Sequence, residues 1–265
     1  MNIVECSQGD MDWFLARTGR VTASDVAKTM AFRVKGEKKG EPLESRNGYM
    51  ASIIGEILTG EPDMDIGGYL TDYMRRGIDE EDRAREVYAV VSDVEVQRVG
   101  FVIHPTIERA GASPDGIVSG DGMVEIKCPK SKTHIAYMLT GVLPEEYEPQ
   151  VMFELACTGL EWCDFVSYDS RMPRRHRMFI KRVYRDEKRI AEINAAVLQF
   201  LAEADSTIER LNRLNPESEV SPKEHLKEQL RRSLEPDPND EALITDEEIE
   251  WAKARTMPQP EIRST

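Results

Sequence analysis

The sequence is poor in the residues that build soft-metal sites. Its 265 residues include only four cysteines and four histidines. Cys6, Cys128, Cys157 and Cys163 form no CxxC pair, so neither a zinc ribbon nor an iron–sulfur cluster is expected, and the thiols read as reduced groups of a cytosolic protein. No apolar run approaches the roughly 20 residues of a membrane-spanning helix. The opening MNIVECSQGDMDW has neither a basic region nor a long apolar stretch, so it is not expected to be a secretory signal. Positive charge is also in deficit. Lys and Arg number 35 against 49 Asp and Glu, a net charge of −14, which taken alone disfavours a phosphate-rich partner.

The distribution of charge weakens that last argument. Residues 171–190 carry nine Lys or Arg against two acids, whereas residues 191–265 carry seventeen acids against nine bases. The deficit is therefore concentrated at the C-terminal end, where SLEPDPNDEALITDEEIE holds eight acids and no base. We expect a folded domain over 1–214 and an acidic, helical extension over 215–265.

Periodicity organises the domain. Helices are expected over 43–59, 70–91, 132–140, 149–158 and about 187–214, with strands over 94–104, 115–119, 123–128, 162–169 and 177–186. This order predicts a mixed α/β (α+β) fold, a central mixed β-sheet flanked by helices. In the 70–91 helix, Leu70, Met74, Ile78, Ala84 and Tyr88 form the apolar stripe, and Glu81 lies on or beside it. An acid on the inward side of a helix needs a reason.

A reason is found in GASPDGIVSGDGMVEIKCP, residues 111–129. In a strand, Glu125 and Lys127 leave one face while Val124 and Ile126 leave the other. SPDG is turn-like and aims Asp115 at the same edge. The bland reading is a surface hairpin with an acid–base pair. The convergence of Asp115, Glu125 and Glu81 argues for more, because gathered carboxylates repel one another unless a cation neutralises them. Oxygen donors with few histidines or thiols suit Mg²⁺ or Mn²⁺. With a lysine alongside, the chemistry that fits is metal-assisted phosphodiester hydrolysis.

Asp115 followed by Glu125-Ile126-Lys127 resembles the PD-(D/E)xK nuclease signature. The ordered set DWFLARTGRVTAS, GIDEEDRARE, GASPDGIVS, VEIKCP, YEPQVMFELACTG and FVSYDSRM resembles the phage lambda exonuclease and YqaJ-like recombinase family over about residues 12–200. The resemblance implies a restriction-endonuclease-like fold and a Mg²⁺-dependent 5′→3′ exonuclease acting on double-stranded DNA ends, with Mn²⁺ as a substitute and two ions per site. It implies Asp115, Glu125 and the Ile126 carbonyl as metal ligands, Glu81 completing or supporting that shell, and Lys127 activating the attacking water. Gln150 would position the site or the nucleophile. Arg17, Ser24 and Ser113 would bind a 5′-phosphate, a role that suits an arginine fork and small hydroxyls. The resemblance further implies a homotrimeric ring, a single-strand annealing protein as partner, and a phage or prophage protein working in the bacterial cytoplasm.

Other readings stay open at this point. Lys35, Lys38 and Lys39 either contact the DNA backbone or form a solvated loop. Ser24 also reads as a helix cap and Ser113 as a plain turn residue. Glu154, one turn after Gln150, can face the same cleft, with its role open. Trp13 and Trp162 read as core. A related metal-dependent endonuclease is the alternative function, and a non-catalytic recombination scaffold is a third.

Overall fold

The structure, a computed structural model, describes residues 1–63, 72–118 and 120–215, and of residues 72–79 the backbone alone. Leu70 therefore lies outside the described residues, as do the side chains of Met74 and Ile78 and, apart from residue 215, the acidic extension. The chain begins with β1 (Asn2–Val4), α1 (Met11–Arg17) and β2 (Val21–Thr22). A 3-10 turn over Ala23–Asp25 leads into α2 (Val26–Thr29), followed by α3 (Glu44–Thr59) and α4 (Asp72–Ser92). Strands β3 (Val96–Gln97), β4 (Phe101–Ile103), β5 (Ala110–Ala112), β6 (Gly116–Val118) and β7 (Gly122–Lys127) come next. Then follow α5 (Ser131–Thr140), α6 (Glu148–Thr158), β8 (Trp162–Tyr168), β9 (Met178–Tyr184) and α7 (Glu187–Leu214).

The mixed α/β class holds, but the strands divide between two sheets, ordered β1-β4-β5-β2 and β3-β6-β7-β8-β9. The stretch expected to be one bent strand or a strand pair over 94–104 is where they part, β3 joining β6 and β4 joining β1 and β5. Gly100 permits the crossing, since a Cβ there would sit 2.5 Å from the Val4 carbonyl oxygen. The two- and three-residue strands β1, β2 and β5 are too short to show a period of two.

The larger sheet positions the site. β6 and β7 form an antiparallel hairpin, while β7 and β8 run parallel, with Glu125 opposite Phe165 and Lys127 opposite Ser167. Parallel neighbours need a long crossover, here built from α5 and α6. Alternation then separates two faces. Val124, Ile126, Val166 and Tyr168 pack with Ala84 and Tyr88 of α4. Met123 and Cys163 pack with Val151, Phe153 and Leu155 of α6. Helix α6 is buried along nearly its whole length, as suits its run Val151–Cys157, apolar except at Glu154. Truncating its Phe153 to Ala would cost about 3–5 kcal/mol. At the hairpin's start Gly116 admits Val96, whose Cγ1 would stand 2.2 Å from a Cβ at that position.

Candidate active site

The hairpin brings the predicted residues together. Asp115, directly before β6, accepts a 2.6 Å hydrogen bond from the Ile126 amide through its Oδ2. Glu125 and Lys127 project from β7 on the side facing α6 and form an ion pair. Sequence periodicity placed both on one face of the strand, a face expected to be open. Glu125 is instead only 2% exposed, because α6 covers that face of the sheet, while Lys127 remains partly open. The Lys127 ammonium also lies 5.2 Å from the centre of the Tyr147 ring.

α6 delivers Gln150 and Glu154 from successive turns. Gln150 Nε2 donates to Glu125 Oε1 at 2.6 Å and to Glu154 Oε1 at 2.9 Å. Glu154 is buried, and its Oε2 has no hydrogen-bond partner. Burial, reinforced by Glu125, pushes its carboxyl well above the usual carboxylate range. Asp115 is raised in the same direction, first by burial and then by Glu125 and Glu81. Burial pulls Lys127 down, but Glu125 and Asp115 outweigh it, so the ammonium is held protonated.

Glu81 reaches this group from α4. Its Oε1 accepts from Arg85 Nη2 at 2.6 Å, and Arg85 Nε donates to the Asp115 carbonyl at 2.7 Å. Arg85, which sequence reasoning did not single out, thus ties α4 to the hairpin. A cavity of about 420 Å³ runs along this region, lined by Glu81, Arg85 and Asp115 and by Trp13 and Phe14 of α1.

Phe14 also lines a second cavity of about 290 Å³, with Arg17, Thr22, Lys28, Tyr49 and Ser52. The Arg17 guanidinium makes no hydrogen bond or ion pair with the described residues and stacks over the Trp13 ring at 4.2 Å. Burial lowers its pKa, and Asp25 and Glu56 work against that effect. Trp13 Nε1 donates to Ser113 Oγ at 2.8 Å, so the indole joins Arg17 to Ser113 rather than filling the core. Indole is a donor only, which leaves the Ser113 hydroxyl hydrogen available to another acceptor. Ser24 is exposed, and its Oγ lies 3.2 Å from Thr22 Oγ1. It makes no side-chain cap of α2.

The remaining candidates stand apart. Lys35, Lys38 and Lys39 are exposed in the loop before α3, and Lys38 approaches Glu41 at 4.0 Å. His134 is structural, with contacts to Ser167 Oγ and the His176 carbonyl. His104 Nδ1 accepts from the Thr106 and Ile107 amides. Trp162 stacks under Arg182 at 3.5 Å.

The donors suit a hard divalent cation in kind. Asp115, Glu125 and Glu81 each have one carboxylate oxygen engaged by a hydrogen bond, an ion pair or both, and the other without a hydrogen bond among the described residues. Burial raises Asp115 first, and the neighbouring charges of Glu125 and Glu81 push it further in the same direction, which a bound cation would offset. No group of three or more His, Cys, Asp or Glu side chains converges at ligand spacing among the described residues. Holding an ion here therefore calls for a backbone carbonyl such as that of Ile126, or for release of Glu81 from Arg85.

The helix-flanked sheet and the Asp115…Glu125-Ile126-Lys127 constellation define a protein of the PD-(D/E)xK class. The YqaJ-like viral recombinase domain matches residues 12–161. The chain belongs to the YqaJ-like viral recombinase family. It is 43% identical to LHK-Exo in complex with dAMP, over 77% of this chain and 97% of that one, with a TM-score of 0.69. LHK-Exo, described as an alkaline exonuclease from Laribacter hongkongensis, matches in a second structure at 42% identity, 77% and 97% coverage and a TM-score of 0.68. A phage related exonuclease from Haemophilus somnus 129PT shares the fold at 15% identity, with 72% and 96% coverage and a TM-score of 0.54. Curated proteins returned no match.

Proposed function

We propose that this chain is a Mg²⁺-dependent exonuclease that degrades one strand of linear double-stranded DNA from its 5′ end to mononucleotides, leaving 3′ single strands for recombination by annealing. The observation that carries this reading is the meeting of Asp115, Glu125 and Lys127 on the covered face of the β6–β7 hairpin. Kinship to an alkaline exonuclease over 97% of that protein supports it.

A divalent ion bound at this site would supply electrophilic pull on the phosphate and acidify a bound water. Asp115, Glu125 and the Ile126 carbonyl are the residues that would hold it, with Glu81 in support. Lys127 Nζ, partly open to solvent, can orient the attacking water. Burial alone pulls Lys127 down, so with the carboxylate charge offset by a cation Lys127 would be able to accept the water's proton. Arg17, oriented by Trp13, and Ser113 would take the terminal 5′-phosphate, with Ser24 at the Thr22 edge of the same cavity. Lys35, Lys38 and Lys39 would steady the DNA backbone. As a homotrimeric ring around the duplex, the enzyme would hand its product to a single-strand annealing protein in the host cytoplasm.

The test is digestion of linear duplexes bearing 5′-phosphate or 5′-hydroxyl ends, with Mg²⁺ and with EDTA. Mononucleotides should come first from the phosphorylated strand. Equal cutting of closed circles would select the endonuclease alternative, and activity in EDTA would remove the metal from the reading. The mass in solution tests the trimer.

A further inference from the structure

Glu154 is 1% exposed, on a helix whose neighbouring residues Val151–Cys157 are otherwise apolar. Its Oε2 has no partner, so an apolar side chain of similar size would pack there at lower cost. What Glu154 does have is one hydrogen of the Gln150 amide. Gln150 Nε2 carries two hydrogens, and Glu125 takes the other. Glu125 Oε1 also pairs with the Lys127 ammonium and so acts as an acceptor, which turns the amide nitrogen toward it and leaves the second hydrogen for Glu154. Gln150 Oε1 is left with no hydrogen bond among the described residues.

A single hydrogen bond from Gln150 to Glu125 would fix one point of the amide and leave its plane free to turn. The second bond fixes the plane and with it the direction of Oε1. We propose that Glu154 is a positioning residue: it locks the Gln150 amide so that Nε2 holds Glu125 and Oε1 stands ready to accept a hydrogen bond from the attacking water. This rests on the nuclease reading above, and it gives Glu154 no contact with substrate.

The experiment is a double-mutant cycle. Glu154→Met keeps the length of the side chain and removes the acceptor. It should lower kcat about 10- to 100-fold, the usual effect of losing a supporting partner at a metal site, with little change in KM for DNA. Glu154→Gln retains an acceptor at that place and should recover most of the loss. In a Gln150→Ala background Glu154→Met should add no further loss. Independent, multiplicative effects in the double variant would overturn the proposal, as would equal losses for Gln and Met. Should the Met variant not fold, Glu154→Leu takes its place in the cycle. A second measurement needs no turnover. In metal-free protein both side-chain hydrogens of Gln150 should exchange slowly by NMR, and one should become fast in the Met variant. Unchanged exchange would also overturn the proposal. A parent protein without nuclease activity would remove the functional reading and leave the NMR result to decide on Glu154.

Discussion

The two faces of the larger sheet bury acids at adjacent levels and treat them in opposite ways. Asp164, opposite Val124, points toward α4, whereas Glu125, opposite Phe165, points toward α6. Both are nearly inaccessible, at 3% and 2% exposure. Asp164 accepts from the Tyr88 hydroxyl at 2.7 Å and from two nitrogens of Arg182, each at 2.8 Å. Its charge is answered by one guanidinium that itself stacks on Trp162. Glu125 has Lys127 and Gln150, but it shares its surroundings with Asp115 and Glu154, both pushed upward by burial and by its charge. A closed polar network holds a fold together. An open one, with more carboxylates than cations, is a site that awaits something. The α4 face is of the first kind and the α6 face of the second.

Substitutions on the two faces should therefore fail differently. The largest effect belongs to Lys127→Ala, which should cut the single-turnover rate by about 10²- to 10⁴-fold, the range of a lost proton-transfer group. DNA binding should stay near that of the parent, and the loss of rate should persist per folded molecule after any drop in melting temperature from leaving Glu125 without its cation. An unfolded variant would show that the open face is structural after all. Next comes Arg182→Leu on the closed face, which leaves Asp164 buried with only Tyr88 as donor. That should lower unfolding stability by about 1–3 kcal/mol in urea titration. The rate per folded molecule should be unchanged, and a slowed rate would break the division between the faces.

Much of this division was legible in the sequence. The alternation of MVEIKCP assigns Glu125 and Lys127 to one face and Val124 and Ile126 to the other, and the structure keeps that assignment. The covering of Glu125 was not legible, because it depends on α6 folding back over β7 through a crossover whose packing leaves no local trace. Arg85 escaped notice for a related reason. It is three residues from Asp82 and four from Glu81, an ordinary surface pattern, and only the tertiary fold brings it to the Asp115 carbonyl. Trp13 was misread as core because its size outweighed its single polar atom. Glu154 was visible as a neighbour of Gln150 on the helix, but its orphaned oxygen is a property of the packed state.

Acid and alkali should sharpen the comparison more gently. Although burial opposes it, hydrogen bonds from Arg171 and Ser131 hold the Asp169 carboxyl below its usual range. A depressed folded pKa stabilises the protein above the unfolded value of 3.8 and is lost as pH falls toward the folded one. Asp169→Asn should thus lower the melting temperature at neutral pH and flatten its fall below about pH 4. Glu154 has the opposite sign. Its raised folded pKa penalises the ionised form, a penalty relieved as pH drops through that pKa toward 4.5. Measured in EDTA, Glu154→Gln should melt above the parent in alkali, with the gain disappearing in acid. A gain that is the same at every pH would mean that Glu154 is not ionised at the high end.

The smallest expected effect lies beyond the sheet, at Trp13. Trp13→Phe keeps an aromatic face beneath Arg17 but removes the 2.8 Å bond to Ser113. The Ser113 hydroxyl then loses the donor that directs its own hydrogen outward. A hydrogen bond of this kind contributes about 0.5–1.5 kcal/mol. The preference for 5′-phosphorylated over 5′-hydroxyl ends should accordingly shrink by about 2- to 12-fold, expressed mainly in KM, while kcat at saturating DNA is retained. Ser113→Ala should shrink it similarly, and combining the two should add little, because both remove the same oriented hydroxyl. If the preference survives the double substitution intact, the terminal phosphate is read by Arg17 alone, and the chain from Arg17 through Trp13 to Ser113 is scaffolding like that around Asp164.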